Sequence, residues 1–71
     1  MHKFLIIIET AGANFSAYSP DLPGCVATGK DRGSVEREME RAIAFHLDGL
    51  REDGEDIPTP HSYSMYCEIP A

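Results

Sequence analysis

Three histidines, two cysteines and twelve carboxylates are the side chains of this 71-residue chain that could do chemistry. Their spacing restricts what that chemistry is. His2 is terminal, His46 falls on a helical apolar stripe and His61 sits in a proline-rich connector. None of these spacings matches HExxH or CxxC…H, so no metal-ligand set is expected. Cys25 becomes a nucleophile only beside a base, and nothing in the sequence brings a histidine to it. Cys25 and Cys67 lack a CxxC neighbour and read as small buried hydrophobes, Cys67 alternating with Met65 and Tyr63 as a core position. Glu9 and Asp21, near strand ends, are a pair of the kind that holds Mg²⁺ for phosphoryl transfer. No third acid completes that set; the simpler reading is that Glu9 caps a strand and Asp21 accepts turn N–H groups. "GKDRGS" lacks the GxxxxGK[ST] phosphate loop. "EDGED" (Glu52–Asp56) does not match an EF-hand loop and reads as a solvated helix end. No catalytic residue, metal or cofactor is assigned.

The elements that must position these residues follow from patterning. "HKFLIIIE" (His2–Glu9) is apolar on both faces and reads as a central strand. "TAGAN" turns it into a second strand, "FSAYS" (Phe15–Ser19). "PDLPG" then stops any ladder, because proline has no N–H and biases the residue before it. "CVATG" is a short third strand. Asp31 is placed to cap a helix. Val35, Met39, Ala42, Ile43, His46, Leu47 and Leu50 form its apolar stripe. Gly33 and Gly49 weaken this helix, and Gly54 ends it before Pro58 and Pro60. "SYSMYCEI" (Ser62–Ile69) alternates and reads as the last strand. The expected fold is α+β: a single β-β-β-α-β domain over residues 1–71, with a four-stranded mixed sheet, a right-handed crossover and one helix on one face. The first strand, Tyr18, Val26 and Tyr66 would leave an apolar face uncovered, which marks a protein-binding surface.

Composition limits the functional classes. A chain this short has a marginal core and favours oligomerisation or a partner. The net charge is −6; nucleic-acid binding needs a basic stripe, which is missing, and a basic protein is the partner such a surface favours. No apolar run approaches the roughly 20 residues of a membrane span. "FLIII" is too short for a signal-peptide core, so a cytoplasmic location is expected.

The hairpin, "PDLPGC" (Pro20–Cys25), "ATG" (Ala27–Gly29), the helix "AIAFHLDGLREDGE" (Ala42–Glu55) and "IPTP" (Ile57–Pro60), in this order, resemble the HicB-like antitoxin family over nearly the whole chain. The resemblance implies a partial RNase H-like domain. It also implies a non-enzymatic protein that neutralises a small basic RNA-cleaving toxin, HicA, by masking its active site and RNA surface. Many relatives carry a C-terminal DNA-binding segment; this chain stops at Ala71, so direct DNA contact is not expected of it. Asp21, Leu22, Pro23 and Gly24 are the expected partner-binding residues, with Leu22 as an apolar anchor on a stiff loop. The alternative is a stand-alone homo-oligomeric module without a toxin, pairing through the open sheet face or an edge strand. A metal-dependent nuclease built on Glu9, Asp21 and an unidentified third acid is the least favoured reading, because no third acid is placed to complete the site and fold does not fix function.

Overall fold

A computed structural model describes residues 2–70. Its elements are β1 (Ile7–Ala11), β2 (Asn14–Tyr18), β3 (Val26–Gly29) and α1 (Arg32–Glu52). The architecture is α+β, with an antiparallel sheet in the order β1-β2-β3 and α1 packed on β2 and β3. Gly12, at φ 63°, makes the tight β1–β2 turn, a backbone region open mainly to glycine.

Register sorts the sheet into two faces. Ile8, Ala17 and Ala27 lie opposite one another across the three strands, as do Thr10, Phe15 and Gly29. This is the face toward α1. Ala17 is buried there, and Ile8, Phe15 and Ala27 pack against the core. Ile7, Tyr18 and Val26 share the other face. No element covers it among the described residues, and Val26 is 64% exposed. The expected open apolar face is thus present, carried by Tyr18 and Val26; Tyr66, also expected there, instead borders Ile8, Thr10 and Phe15 on the α1-facing side.

β1 begins later than its composition suggests. Ile7 pairs with Tyr18, so residues before Ile7 would have to pair with Ser19 and Pro20. The chain leaves the ladder there, and proline has no N–H to give it. A second difference is larger. Ser62–Ile69 belongs to no strand; among the described residues the sheet has three strands, without the parallel fourth strand or the crossover that would reach it. Alternation records which side chains are apolar, but a strand also needs an edge to bond, and this segment bonds none. Cys67, expected in the core, is exposed for the same reason.

The helix matches its sequence signals closely. Asp31 caps it by accepting from the Ser34 N–H at 2.7 Å, a bond that holds the Asp31 carboxyl below its ordinary value. Gly54, at φ 71°, ends it. The Gly54 and Glu55 amides donate back to the Arg51 and Leu50 carbonyls, the paired bonds of a Schellman motif. Val35, Met39 and Leu47 are buried, with Ala42, Ile43 and Leu50 beside them. The chain reaches this helix through Gly29, where an added Cβ would stand 2.7 Å from the Val35 amide nitrogen. Only glycine lets β3 and the first turn of α1 come so close.

Candidate functional site

Between β2 and β3 the chain makes two consecutive turns. The Leu22 N–H donates to the Ser19 carbonyl and the Cys25 N–H to the Leu22 carbonyl, each at 3.1 Å. Pro20 and Pro23 stand second in their turns, where a fixed φ is favourable, and Gly24 at φ 83° takes the third place of a type II turn. This corner is rigid by composition and points inward by geometry. Leu22 is fully buried under α1, at 0% exposure, and Cys25 is buried beside it. Burial pushes the Cys25 thiol up, away from the reactive thiolate. Leu22 therefore faces the core rather than serving as an outward anchor, because closing two turns in succession folds their shared residue back beneath the helix. Pro20, Pro23 and Gly24 are the corner's exposed residues.

Asp21 is buried too, and its carboxylate is fully engaged. Oδ2 accepts from the His61 and Ser62 amides at 3.3 and 3.2 Å. Oδ1 accepts from the Ser62 hydroxyl at 2.8 Å and meets His61 Nδ1 at 2.7 Å. Loss of solvent pushes this carboxyl up, but the Ser62 hydroxyl, the two amides and the imidazole together outweigh that, and the net shift is downward. Asp21 is a clasp: it fastens the segment after the Pro58–Pro60 connector to the corner. The expected role of accepting backbone N–H groups is right in kind, but the amides come from about forty residues away. Nearby, the Ser19 hydroxyl is buried without a partner among the described residues.

Beside the corner, α1 presents a groove of about 490 Å³ bounded by Gly24, Cys25, Ala42, Phe45, His46, Gly49, Leu50, Asp53 and Glu55. Gly49 leaves it open, since nothing lies within 4 Å of where a Cβ would be. Phe45 is 82% exposed at its wall, and Asp53 and Glu55 form an acidic rim. His46 is half-buried in the groove wall. The acids of Glu52–Asp56 are exposed around the helix end, as their composition implied.

The structure does not join Glu9 to Asp21. Glu9 stands exposed in β1 opposite Ser16, while the Asp21 oxygens are taken by His61 and Ser62. Among the described residues no three His, Cys, Asp or Glu side chains gather as metal ligands, and no helix is long and apolar enough to cross a membrane. Two features escaped the sequence. His61 and Ser62 as partners of Asp21 leave no local spacing signal. Phe45 does leave one: it is an aromatic residue off the apolar stripe, four residues before a helical glycine.

No solved structure is significantly similar to this chain. It is 31% identical over 65 residues to an "Uncharacterized 14.9 kDa protein in rep-hol intergenic region" of Haemophilus phage HP1. That match takes in 92% of this chain and 49% of the phage protein, so the chain spans about half the length of this curated relative. Residues 4–71 match the family described as "HicB_like antitoxin of bacterial toxin-antitoxin system", and with nearly its whole length so matched the chain belongs to the HicB-like antitoxin family.

Proposed function

We propose that this protein neutralises a small basic HicA-like RNA-cleaving toxin in the cytoplasm by covering its active site, without catalysis or direct nucleic-acid contact of its own. The observation that carries the reading is the groove beside the corner, lined by an exposed aromatic, Phe45, by Gly24 and Gly49, and by the acidic Asp53 and Glu55. Such a surface suits a partner with an apolar contact set among cations. Charge complementarity speeds and orients that encounter, and a corner already rigid loses little entropy on docking. Pro23 and Gly24 make the contact in this scheme, while Asp21 and Leu22 hold them in place. The partial RNase H-like outline belongs to the same proposal, with Ser62–Ile69 becoming the fourth strand of a sheet only in an assembled state.

Co-expression with the product of the adjacent gene tests it. Capture of a small basic protein, relief of its toxicity and weaker capture by Phe45→Ala are the expected results. Added salt weakens the complex, since exposed charges are screened. A captured toxin that binds Phe45→Ala and Gly24→Val variants undiminished removes the groove and corner from the interface. Growth arrest unrelieved by this chain removes the antitoxin reading.

A further inference from the structure

The acidic charge of this protein is unevenly spread. Between Lys30 and Arg41 four bases meet four acids, and that stretch is neutral. Between Asp48 and Asp56 five acids meet one base, so four of the six net negative charges gather at the last turn of α1 and just beyond it. The base, Arg51, is already paired with Asp48 at 3.1 Å. Glu52, Asp53, Glu55 and Asp56 form no ion pair among the described residues. A helix ends in partial negative charge, so acids at this end work against the macrodipole and cost stability. Carboxylates kept where local energetics disfavours them imply a cation supplied from outside the chain.

The groove beside them narrows the choice of cation. Phe45, Gly49 and Asp53 all line it, and their spacing of four puts them in one row on the helix surface. From Phe45 to Asp53 the helix rises about 12 Å. An exposed ring stands at one end of the row, the absent side chain of Gly49 opens a notch in the middle, and Asp53 with Glu55 closes the other end. An apolar wall leading to carboxylates suits a side chain with an apolar stem and a charged head. A bare metal ion would leave the ring and the notch unused. Of the two long basic side chains, arginine fits better. Its planar guanidinium offers a fork of donors to two carboxylates and is more weakly hydrated than an ammonium.

We infer that this groove receives an arginine side chain of a basic protein partner, the stem laid from the Phe45 ring across Gly49 and the guanidinium held by Asp53 and Glu55. The assignment rests on the groove being the partner-binding surface, and adds the group that it recognises.

The test uses the full chain and the peptide acetyl-Gly-Arg-Gly-amide, with lysine and citrulline counterparts; citrulline keeps the shape of arginine without its charge. Backbone amide shifts follow the titration. The arginine peptide is expected to shift the Phe45, Gly49 and Asp53 amides saturably, with a dissociation constant on the order of millimolar. It binds about threefold to tenfold tighter than the citrulline peptide, and tighter than the lysine peptide. Phe45→Ala weakens it, with the fold retained because the ring is exposed. The double variant Asp53→Asn, Glu55→Gln loses the preference for arginine over citrulline, yet melts about 2–8 °C higher, since two charges opposing the helix dipole are gone. No shifts in the groove, equal binding of the citrulline or lysine peptide, or a double variant that keeps the preference each overturns the assignment. The probe is a peptide, so the outcome is separate from toxin capture. Growth rescue without an arginine preference leaves the antitoxin reading standing and removes this site; the preference without rescue does the reverse.

Discussion

β2 and the tail from Ser62 to Ile69 are both short runs in which apolar and polar residues alternate. β2 is bonded on both sides and buries Ala17, whereas the tail is bonded on neither and leaves its large side chains in water. The difference lies in what each segment can reach. β2 follows β1 through a tight turn at Gly12 and meets β3 through the double turn, so both neighbours are close in sequence and closing those loops costs little entropy. The tail is separated from the sheet by α1 and a proline connector, and a single buried carboxylate holds its root. Alternation makes a segment ready to pair; proximity decides whether it does.

Substitutions can break that contrast from the packed side. Leu22→Ala has the largest expected effect, about 2–5 kcal/mol for emptying a fully buried leucine site. That is a large share of the stability of any small domain, and thermal melts should show much of the fold lost. A melt close to the parent's would mean that the corner is not part of the cooperative core. Gly29→Ala comes next. Its Cβ would collide with the backbone of Val35, and overpacking of this kind costs about 1–3 kcal/mol. Denaturant titration measures it, and an unchanged midpoint would show that β3 and α1 can separate without penalty. Gly49→Ala runs the other way, gaining up to ~1 kcal/mol of helix stability with nothing to clash against. It also fills the groove, so greater stability with weaker partner binding is the signature of a groove that is used.

The smallest effect on the whole fold, and the sharpest on the tail, comes from acid. The Asp21 carboxyl is held below its unfolded value, so the clasp contributes fully above about pH 4. That contribution drains away as the pH falls through the lower folded value. Amide exchange at His61 and Ser62 should rise in that window relative to the intrinsic rate while helix amides stay protected. Loss of both together would mean that the clasp and the core are one unit.

Much of the packed half could be read from residue order. The Asp31 cap, the Gly54 stop, the Val35–Leu47 stripe and the proline-forced corner are local signals whose partners lie within a few residues. The inward turn of Leu22 was not legible, since a leucine between prolines looks the same whether it faces solvent or helix. Nor was the clasp: Asp21 has four donors, all far along the chain. The late start of β1 could have been foreseen by setting the hairpin register from Gly12 and asking what stands opposite residues 2–6. For the candidate site, the corner was visible by composition; which of its residues face solvent was not, since Asp21 and Leu22 are buried while Pro20, Pro23, Gly24 and the neighbouring Phe45 are exposed.

The two cysteines give the molecule a built-in clock. Cys25 is buried and can be alkylated only when the corner opens, whereas the Cys67 sulfur is open to solvent and needs no opening. When opening and closing are fast relative to alkylation, the ratio of the two labelling rates in one sample reports the opening equilibrium of the corner, with the second thiol as internal standard. Anything that closes over the tail slows Cys67 first and leaves Cys25 unchanged. Anything that grips the corner does the reverse. A single reagent and a mass spectrum then distinguish which end of the molecule a partner holds.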